Sequence, residues 1–170
     1  MALRRIVTYG TPVLRQRARE VTELDGELQQ LIDDMVETMY AAPGVGLAAN
    51  QVGSPHRLFV ANPTDSHDPS KLLVVINPEV VESDGEFANE EGCLSVPEFR
   101  ETVVRARRMV LRGLDREGRP LEVEGRDLLA RIFQHELDHL NGLFFLDRLS
   151  PAKRDILGRK LKKAFFESAT

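Results

Sequence analysis

The stretch Phe133-Gln-His-Glu-Leu-Asp-His139 holds the spacing His-Glu-x-x-His. On an α-helix, residues four apart stack on one face, so His135 and His139 can aim two imidazole nitrogens at one metal ion. Glu136 stands beside them, placed to handle a proton on an activated water. The pattern proposes a metal-dependent hydrolase. A helix with two hydrogen-bonded histidines and a surface glutamate has the same spelling, so the reading needs a third ligand from elsewhere in the chain.

A catalytic site of the zinc type uses three protein ligands and leaves one position open. The single cysteine, Cys93 in Glu91-Gly-Cys-Leu-Ser95, is the natural third donor. A lone cysteine is also commonly a buried, inert thiol. The neighbours argue for ligation, because Glu90 and Glu91 suit an inert core thiol poorly and a carboxylate is a common partner for a ligating histidine. Gly92 permits close backbone approach. A further segment, Gly44-Val-Gly-Leu-Ala-Ala-Asn-Gln51, offers a tight backbone path, and the Gln51 amide could donate to a developing oxyanion. No strand precedes it, and its spacing is not a dinucleotide fingerprint.

These segments must be carried by ordered elements. Leu24, Leu28, Leu31, Ile32, Met35, Val36 and Met39 recur with helical period over 25–41, with Asp25 as N-cap and Pro43-Gly44 as the stop. Residues 57–61 and 72–76 read as short strands, with a loop between them from Asn62 to Ser70 that includes Pro63, Asp65, Asp68 and Pro69. Thr102 to Leu114 reads as one extended strand, turned by residues 115–120 into a return strand at 121–123. Arg105, Arg107, Arg108 and Arg112 read as a solvated strand face without the aromatics of a nucleic-acid platform. Residues 126–140 form the motif helix, with Asp127 near its start and Asn141-Gly142 closing it. Leu128 and Ile132 share a face with the histidines, while Leu129, Phe133, Leu137 and Leu140 cover the apolar sector beside it. Ser150-Pro151 starts a last helix with Ile156, Leu157, Leu161, Ala164 and Phe165 as its stripe. The order predicts an α+β fold with a mainly antiparallel sheet around the motif helix, flanked by an N-terminal and a C-terminal helix.

The 170 residues suit one domain over 1–170. With 42% hydrophobic and 29% charged residues, the balance is that of a soluble globular protein. A formal net charge of −4 argues against stable nucleic-acid binding. No apolar run approaches the roughly 20 residues of a membrane span, and no leader pattern opens the chain, so a cytoplasmic protein is expected. One cysteine rules out an internal disulfide framework.

Gly44–Gln51 resembles the GxGLAAxQ motif of the peptide deformylases, Glu91–Ser95 their EGCLS motif, and Gln134–His139 their QHExDH motif, all in the family's order. Pro12-Val-Leu-Arg15, Ala18 and Val21 are similar to the family's opening, and the resemblance runs from about residue 5 to 150. It implies an enzyme that removes the formyl group from the N-terminal formylmethionine of new polypeptides, at or near the ribosome, as a monomer. It implies one Fe²⁺ per chain, with Zn²⁺, Ni²⁺ or Co²⁺ able to substitute. By position, Cys93, His135 and His139 are the ligands and Glu136 the general acid/base. Gln51 and the Leu94 backbone N–H form the oxyanion hole, and Val45, Gly46 and Gly92 bond the substrate backbone as an added strand. Arg100 corresponds to an arginine near the substrate, and Arg105 to one that pairs with Asp138. Leu128, Ile132 and Val45 are the expected apolar wall of a methionine pocket. Arg131 and Asn89 depart from the aliphatic lining of some members.

Two rivals share part of the pattern. A zincin-like metallopeptidase takes its third ligand downstream of the helix, where this chain offers only Asp147, Asp155 and Glu167. A structural metal domain needs a fourth protein ligand, and His56 and His67 lie in loop-like contexts.

Overall fold

The computed structural model describes residues 2–64 and 66–164. Asp65 in the first loop, Phe165 of the last stripe and the downstream acid Glu167 lie outside the described residues. Helix α1 spans Gly26–Ala41 and is capped as expected, the Asp25 side chain accepting from the Leu28 N–H at 2.9 Å. Seven strands follow: β1 Gly46–Ala48, β2 Leu58–Ala61, β3 Leu73–Asp84, β4 Phe87–Cys93, β5 Val96–Arg105, β6 Arg108–Leu114 and β7 Pro120–Arg126. Helix α2 spans Leu128–Leu140, and α3, capped by Ser150 at the Lys153 N–H, spans Pro151–Lys162. Five strands form an antiparallel sheet in the order β1-β2-β3-β6-β7, and β4 pairs with β5 in a separate hairpin. The architecture is α+β.

Side chains on successive strand residues point to opposite faces, and here both faces are covered. On β2, Leu58 and Val60 join Leu31, Ile32 and Met35 of α1, with Leu47 and Ile76 beside them. Phe59 and Ala61 face the other way, onto Phe133, Leu137 and Leu140 of α2, with Val75 and Leu111. The sheet is a wall between the two helices. Burying each such large apolar side chain contributes about 1.5–3 kcal/mol, so α2 is held to the wall far more firmly than helix propensity alone would hold it. Gly125 of β7 lets α2 approach, since a β-carbon there would stand 2.7 Å from the Phe133 ring and 3.1 Å from the Ala130 nitrogen.

Three sequence expectations are corrected. Thr102–Leu114 is not one strand. It breaks after Arg105, where the Gln134 amide of α2 accepts from the Ala106 N–H and donates to the Ala106 carbonyl, both at 2.8 Å. The chain passes there from the hairpin into the sheet. The four arginines therefore do not share a solvated face. Arg105 is 5% exposed, Arg108 bridges Glu82, Asp84 and Glu124, and Arg107 and Arg112 are exposed. The α3 stripe is narrower than its periodicity suggests: Leu157 and Leu161 pack under β5 with Phe144 and Phe145, but Ile156 is 55% exposed. The 115–120 turn forms as expected, with Gly118 at φ +84°.

The N-terminal segment is a strap beside the motif loops. The Val7 N–H donates to the Gln51 carbonyl and the Tyr9 N–H to the Ser95 carbonyl, each at 2.8 Å. Its far end is tied to α1: the Asp34 carboxylate accepts from the Ala2 N–H at 2.8 Å and from Arg4 Nε at 2.9 Å. Burial alone would raise the Asp34 pKa, but the hydrogen bonds from Ala2, Gln30 and Arg4 outweigh it and hold the carboxyl below its usual range. A carboxyl depressed in the folded state stabilises fully above its unfolded value, about 3.9, and loses that contribution as pH falls through the lower folded value. Asp34→Ala should lower the unfolding free energy by about 1.5–3 kcal/mol at pH 7, with the gap to wild type narrowing below about pH 4. Urea unfolding at both pH values checks this. A neutral-pH gap below about 0.5 kcal/mol would remove the strap's anchor from the account.

Candidate metal centre

Three elements deliver the site. Helix α2 presents His135 and His139 from one face, as their spacing requires. The hairpin turn between β4 and β5 presents Cys93, where Cys93 pairs with Val96 after a register shift at Gly92. Strand β1 and the short helical turn Ala49–Val52 present Gly46 and Gln51. His139 Nε2 lies 3.1 Å from Cys93 Sγ and 3.2 Å from His135 Nε2, and all three ligand atoms lie within 4.8 Å of one another. A tetrahedral ion with metal–nitrogen bonds of about 2.0–2.1 Å and a metal–sulfur bond of about 2.3 Å holds its ligand atoms roughly 3.3–3.6 Å apart. The donor set and its spacing fit a divalent cation. Two imidazole nitrogens and a thiol facing one another in a largely buried place have no better use for their lone pairs.

Hydrogen bonds around the ligands set their aim. His135 Nδ1 lies 2.9 Å from Glu91 Oε1, so this nitrogen carries the proton and Nε2 is left to ligate. Burial alone would raise the Glu91 pKa. Hydrogen bonds from Arg105 and His135 overcome that and hold it down to about 2. Arg105 donates to both Glu91 oxygens at 2.8 and 2.9 Å and to Asp138 Oδ2 at 2.6 Å. Arg148 caps Asp138 from outside at 2.6 Å. His139 is held neutral, its pKa pushed well down by burial and then by His135 and Arg105. At the end of α2, the Asn50 amide donates to the His139 carbonyl and Arg57 to the Leu140 carbonyl. The Ser95 N–H donates to Cys93 Sγ at 3.4 Å and fixes the position of the sulfur in the turn.

Glu136 is buried beside the ligands, and its Oε1 has no hydrogen-bond partner among the described residues. Burial, with Glu91 and Asp138 nearby, pushes its pKa up to about 7 against the pull of His135 and Arg105. A cation at the three ligands acts the other way and favours the carboxylate. Gly46 leaves the room that Glu136 occupies, because a β-carbon there would stand 2.7 Å from Glu136 Oε2 and 2.9 Å from Ile132 Cγ2. Gln51 is 1% exposed. Its Oε1 accepts from the Ala48 N–H at 3.0 Å, which turns its amide N–H₂ toward Cys93 Sγ at 3.7 Å and Ser95 Oγ at 3.2 Å.

A cavity of about 250 Å³ opens onto Cys93, His135 and Glu136. Val45, Gly46, Gln51, Gly92, Leu94, Arg100 and Ile132 line it, as does Arg131. Leu128 does not line it; that side chain is half-buried against the main core cluster. Asn89 is exposed and also lies outside the lining. A larger cleft of about 520 Å³, between the start of α1 and Ser54–His56, has no comparable group of ligand atoms among the described residues. His56 and His67 are engaged elsewhere, with Ser54 and on the Tyr40 ring, and supply no fourth ligand. Asp147 pairs with Arg15 rather than approaching the histidines. Sequence reasoning missed the role of Gln134 at the Ala106 break and the contacts of Asn50, Arg57 and Arg148 around the motif helix, none of which has a local signal in the chain.

The family model for polypeptide deformylase matches residues 3–155. The peptide deformylase of Desulfosudis oleivorans is 54% identical over 159 residues, covering 93% of this chain and 92% of that one. The crystal structure of a peptide deformylase from Legionella pneumophila superposes with a TM-score of 0.88 at 47% identity, over 98% of both chains. That of Ehrlichia chaffeensis peptide deformylase in complex with actinonin gives 0.89 at 38% identity, over 98% of this chain and 99% of that one. With a family model across nearly its whole length and relatives this similar, the chain belongs to the peptide deformylase family.

Proposed function

We propose that the family's reaction, hydrolytic removal of the N-formyl group from nascent polypeptides, is carried out here by Cys93, His135 and His139 as metal ligands with Glu136 as general acid/base. The observation that carries this reading is the convergence of three ligand atoms within 4.8 Å beside a buried carboxylate in a cavity. We read residues 1–170 as one such domain, working as a monomer in the cytoplasm near the ribosome. Among the described residues, no helix is long and apolar enough to cross a membrane. The ion is proposed as one Fe²⁺ per chain, with Zn²⁺, Ni²⁺ or Co²⁺ able to substitute. A thiolate with two imidazoles suits all four.

A divalent ion bound there would supply Lewis acidity and lower the pKa of a neighbouring water toward about 7. Glu136 takes the proton of the water that attacks the formyl carbon. The Gln51 amide N–H and the Leu94 backbone N–H stabilise the oxygen that gains negative charge, each contributing about 3 kcal/mol. The carbon–nitrogen bond then breaks. Glu136 returns its proton to the departing amine nitrogen, and formate is the second product. Val45, Gly46 and Gly92 offer backbone groups to an extended substrate, and Ile132 with Val45 forms an apolar wall for the methionine side chain.

Glu136→Gln keeps the volume and removes the base. It should retain metal and fold while turnover on a formyl-Met peptide falls by about 10²-fold or more. Turnover within a few-fold of wild type would eliminate Glu136 as the proton carrier. The formyl group should also be distinguished from acetyl. The acyl carbon must sit among Gln51, Leu94 and the ligands, where an added methyl group has no forgiving pocket, so kcat/KM for the acetylated peptide should fall well beyond the 10–200-fold of one misfit methylene. Comparable values for the two peptides would point to a general amidase.

A further inference from the structure

The cavity wall carries two cations whose charge the reaction does not use. Arg100 and Arg131 both line it, from β5 and α2. Arg100 lies flat across Gly92, where a β-carbon would stand 2.8 Å from its Nη1, so the absent side chain at position 92 is what brings the guanidinium beside the hairpin turn of Cys93. Its Nε donates to Glu90 Oε1 at 2.7 Å, a pair in which both side chains are more than half exposed. Arg131 Nη1 reaches only the Glu90 backbone carbonyl, at 3.3 Å, and Arg131 has no ion-pair partner among the described residues. One exposed carboxylate thus stands behind two guanidiniums and does not itself line the cavity. The two acids that do line it are spent: Glu91 is locked to Arg105 and His135, and Glu136 is buried at the ligands. The outward-facing charge of the cavity is therefore positive, in a chain whose formal net charge is −4.

We propose that Arg131, together with Arg100, makes this enzyme select formylated chains that carry an acidic side chain in the first one or two positions after methionine. The inference rests on the deformylase reading above. Arg131 lines the cavity beside Ile132, and its Nη1 reaches out to the exposed Glu90 carbonyl, so its charge lies on the open side that the residues after methionine would cross. An acidic side chain there gains a partner, and a basic one meets a like charge. Solvent-exposed pairs of this kind are each worth about 1.4- to 5-fold in a binding constant. Attraction for one charge and repulsion of the other should multiply to about 2- to 25-fold between acidic and basic substrates.

The test compares kcat/KM for five formyl-Met tripeptide amides, with Glu or Lys at one or the other of the two following positions and Ala elsewhere, and the Ala-Ala peptide as reference. Amidation keeps the peptide's own carboxylate out of the comparison. The wild type should rank Glu over Ala over Lys at low salt. The spread should shrink in 1 M NaCl, where the screening length falls to about 3 Å. Arg131→Lys should keep the order, Arg131→Leu should compress it, and Arg131→Glu should abolish or reverse it. The Lys and Glu variants and the salt series decide the matter even if the Leu variant folds poorly. Equal kcat/KM for the Glu and Lys peptides, or a preference for Lys, overturns the proposal and leaves Glu90 as the charge that substrates meet. If every one of these peptides stays formylated with wild-type enzyme, the deformylase reading itself falls, and this proposal with it.

Discussion

The Glu91 carboxylate is shared between the candidate metal centre and the frame around it. One oxygen faces His135 Nδ1 at 2.9 Å, and both accept from Arg105, which then crosses to Asp138 on the same helix as the histidines. The β4–β5 hairpin that carries Cys93 and the helix that carries His135 and His139 are not strand partners of each other. What holds them in register is this chain of buried charges. Removing one partner of a buried, hydrogen-bonded ion pair costs about 3–5 kcal/mol, because the survivor is left uncompensated. The network therefore acts as a spacer of fixed length. It holds the Cys93 sulfur 3.1 Å from His139 Nε2, near the distance that a small tetrahedral ion requires.

Around that spacer, close approach is made possible by missing side chains. Gly125 admits α2 to the sheet, Gly46 admits Glu136 to the cavity edge, and Gly92 admits Arg100 to the hairpin turn. The first serves packing, the second leaves a carboxylate beside the ligands with one oxygen unbonded, and the third brings a cation to the mouth. The sheet's two covered faces supply the apolar burial that makes these approaches affordable, with β2 contributing alternate residues to the clusters under each helix.

Much of the site was legible because its chemistry is local. Two histidines four apart need only a helix, and a lone cysteine flanked by Glu91 and Gly92 needs only a partner. The strongest guide was the order of three short motifs rather than periodicity. What the chain concealed depends on distant contacts. The family resemblance paired Arg105 with Asp138, as the structure does, but the local pattern read it as part of a solvated stripe, because nothing near it signals that the strand stops at Ala106; the stop is made by the Gln134 amide, 28 residues away. Strand β1 has three residues, too few to show an alternation. Strand β4 runs Phe-Ala-Asn-Glu-Glu-Gly-Cys in a two-stranded ribbon with one buried residue, Glu91, so no apolar rhythm marks it. Leu128 shares a helical face with His135, yet sits one turn too early to reach the cavity and packs against the core instead.

The central claim is that Cys93, His135 and His139 together hold one ion, and that no subset of them suffices. Metal content of protein purified without oxygen, wild type against Cys93→Ala, tests it most directly, with circular dichroism to verify the fold of both. The account predicts about one equivalent of metal per chain in the wild type and a small fraction of that in the variant, since a pair of imidazoles without the thiolate loses both a ligand and its charge. A folded Cys93→Ala protein that keeps its full equivalent would contradict it, and the ion would have to be held by another set of donors.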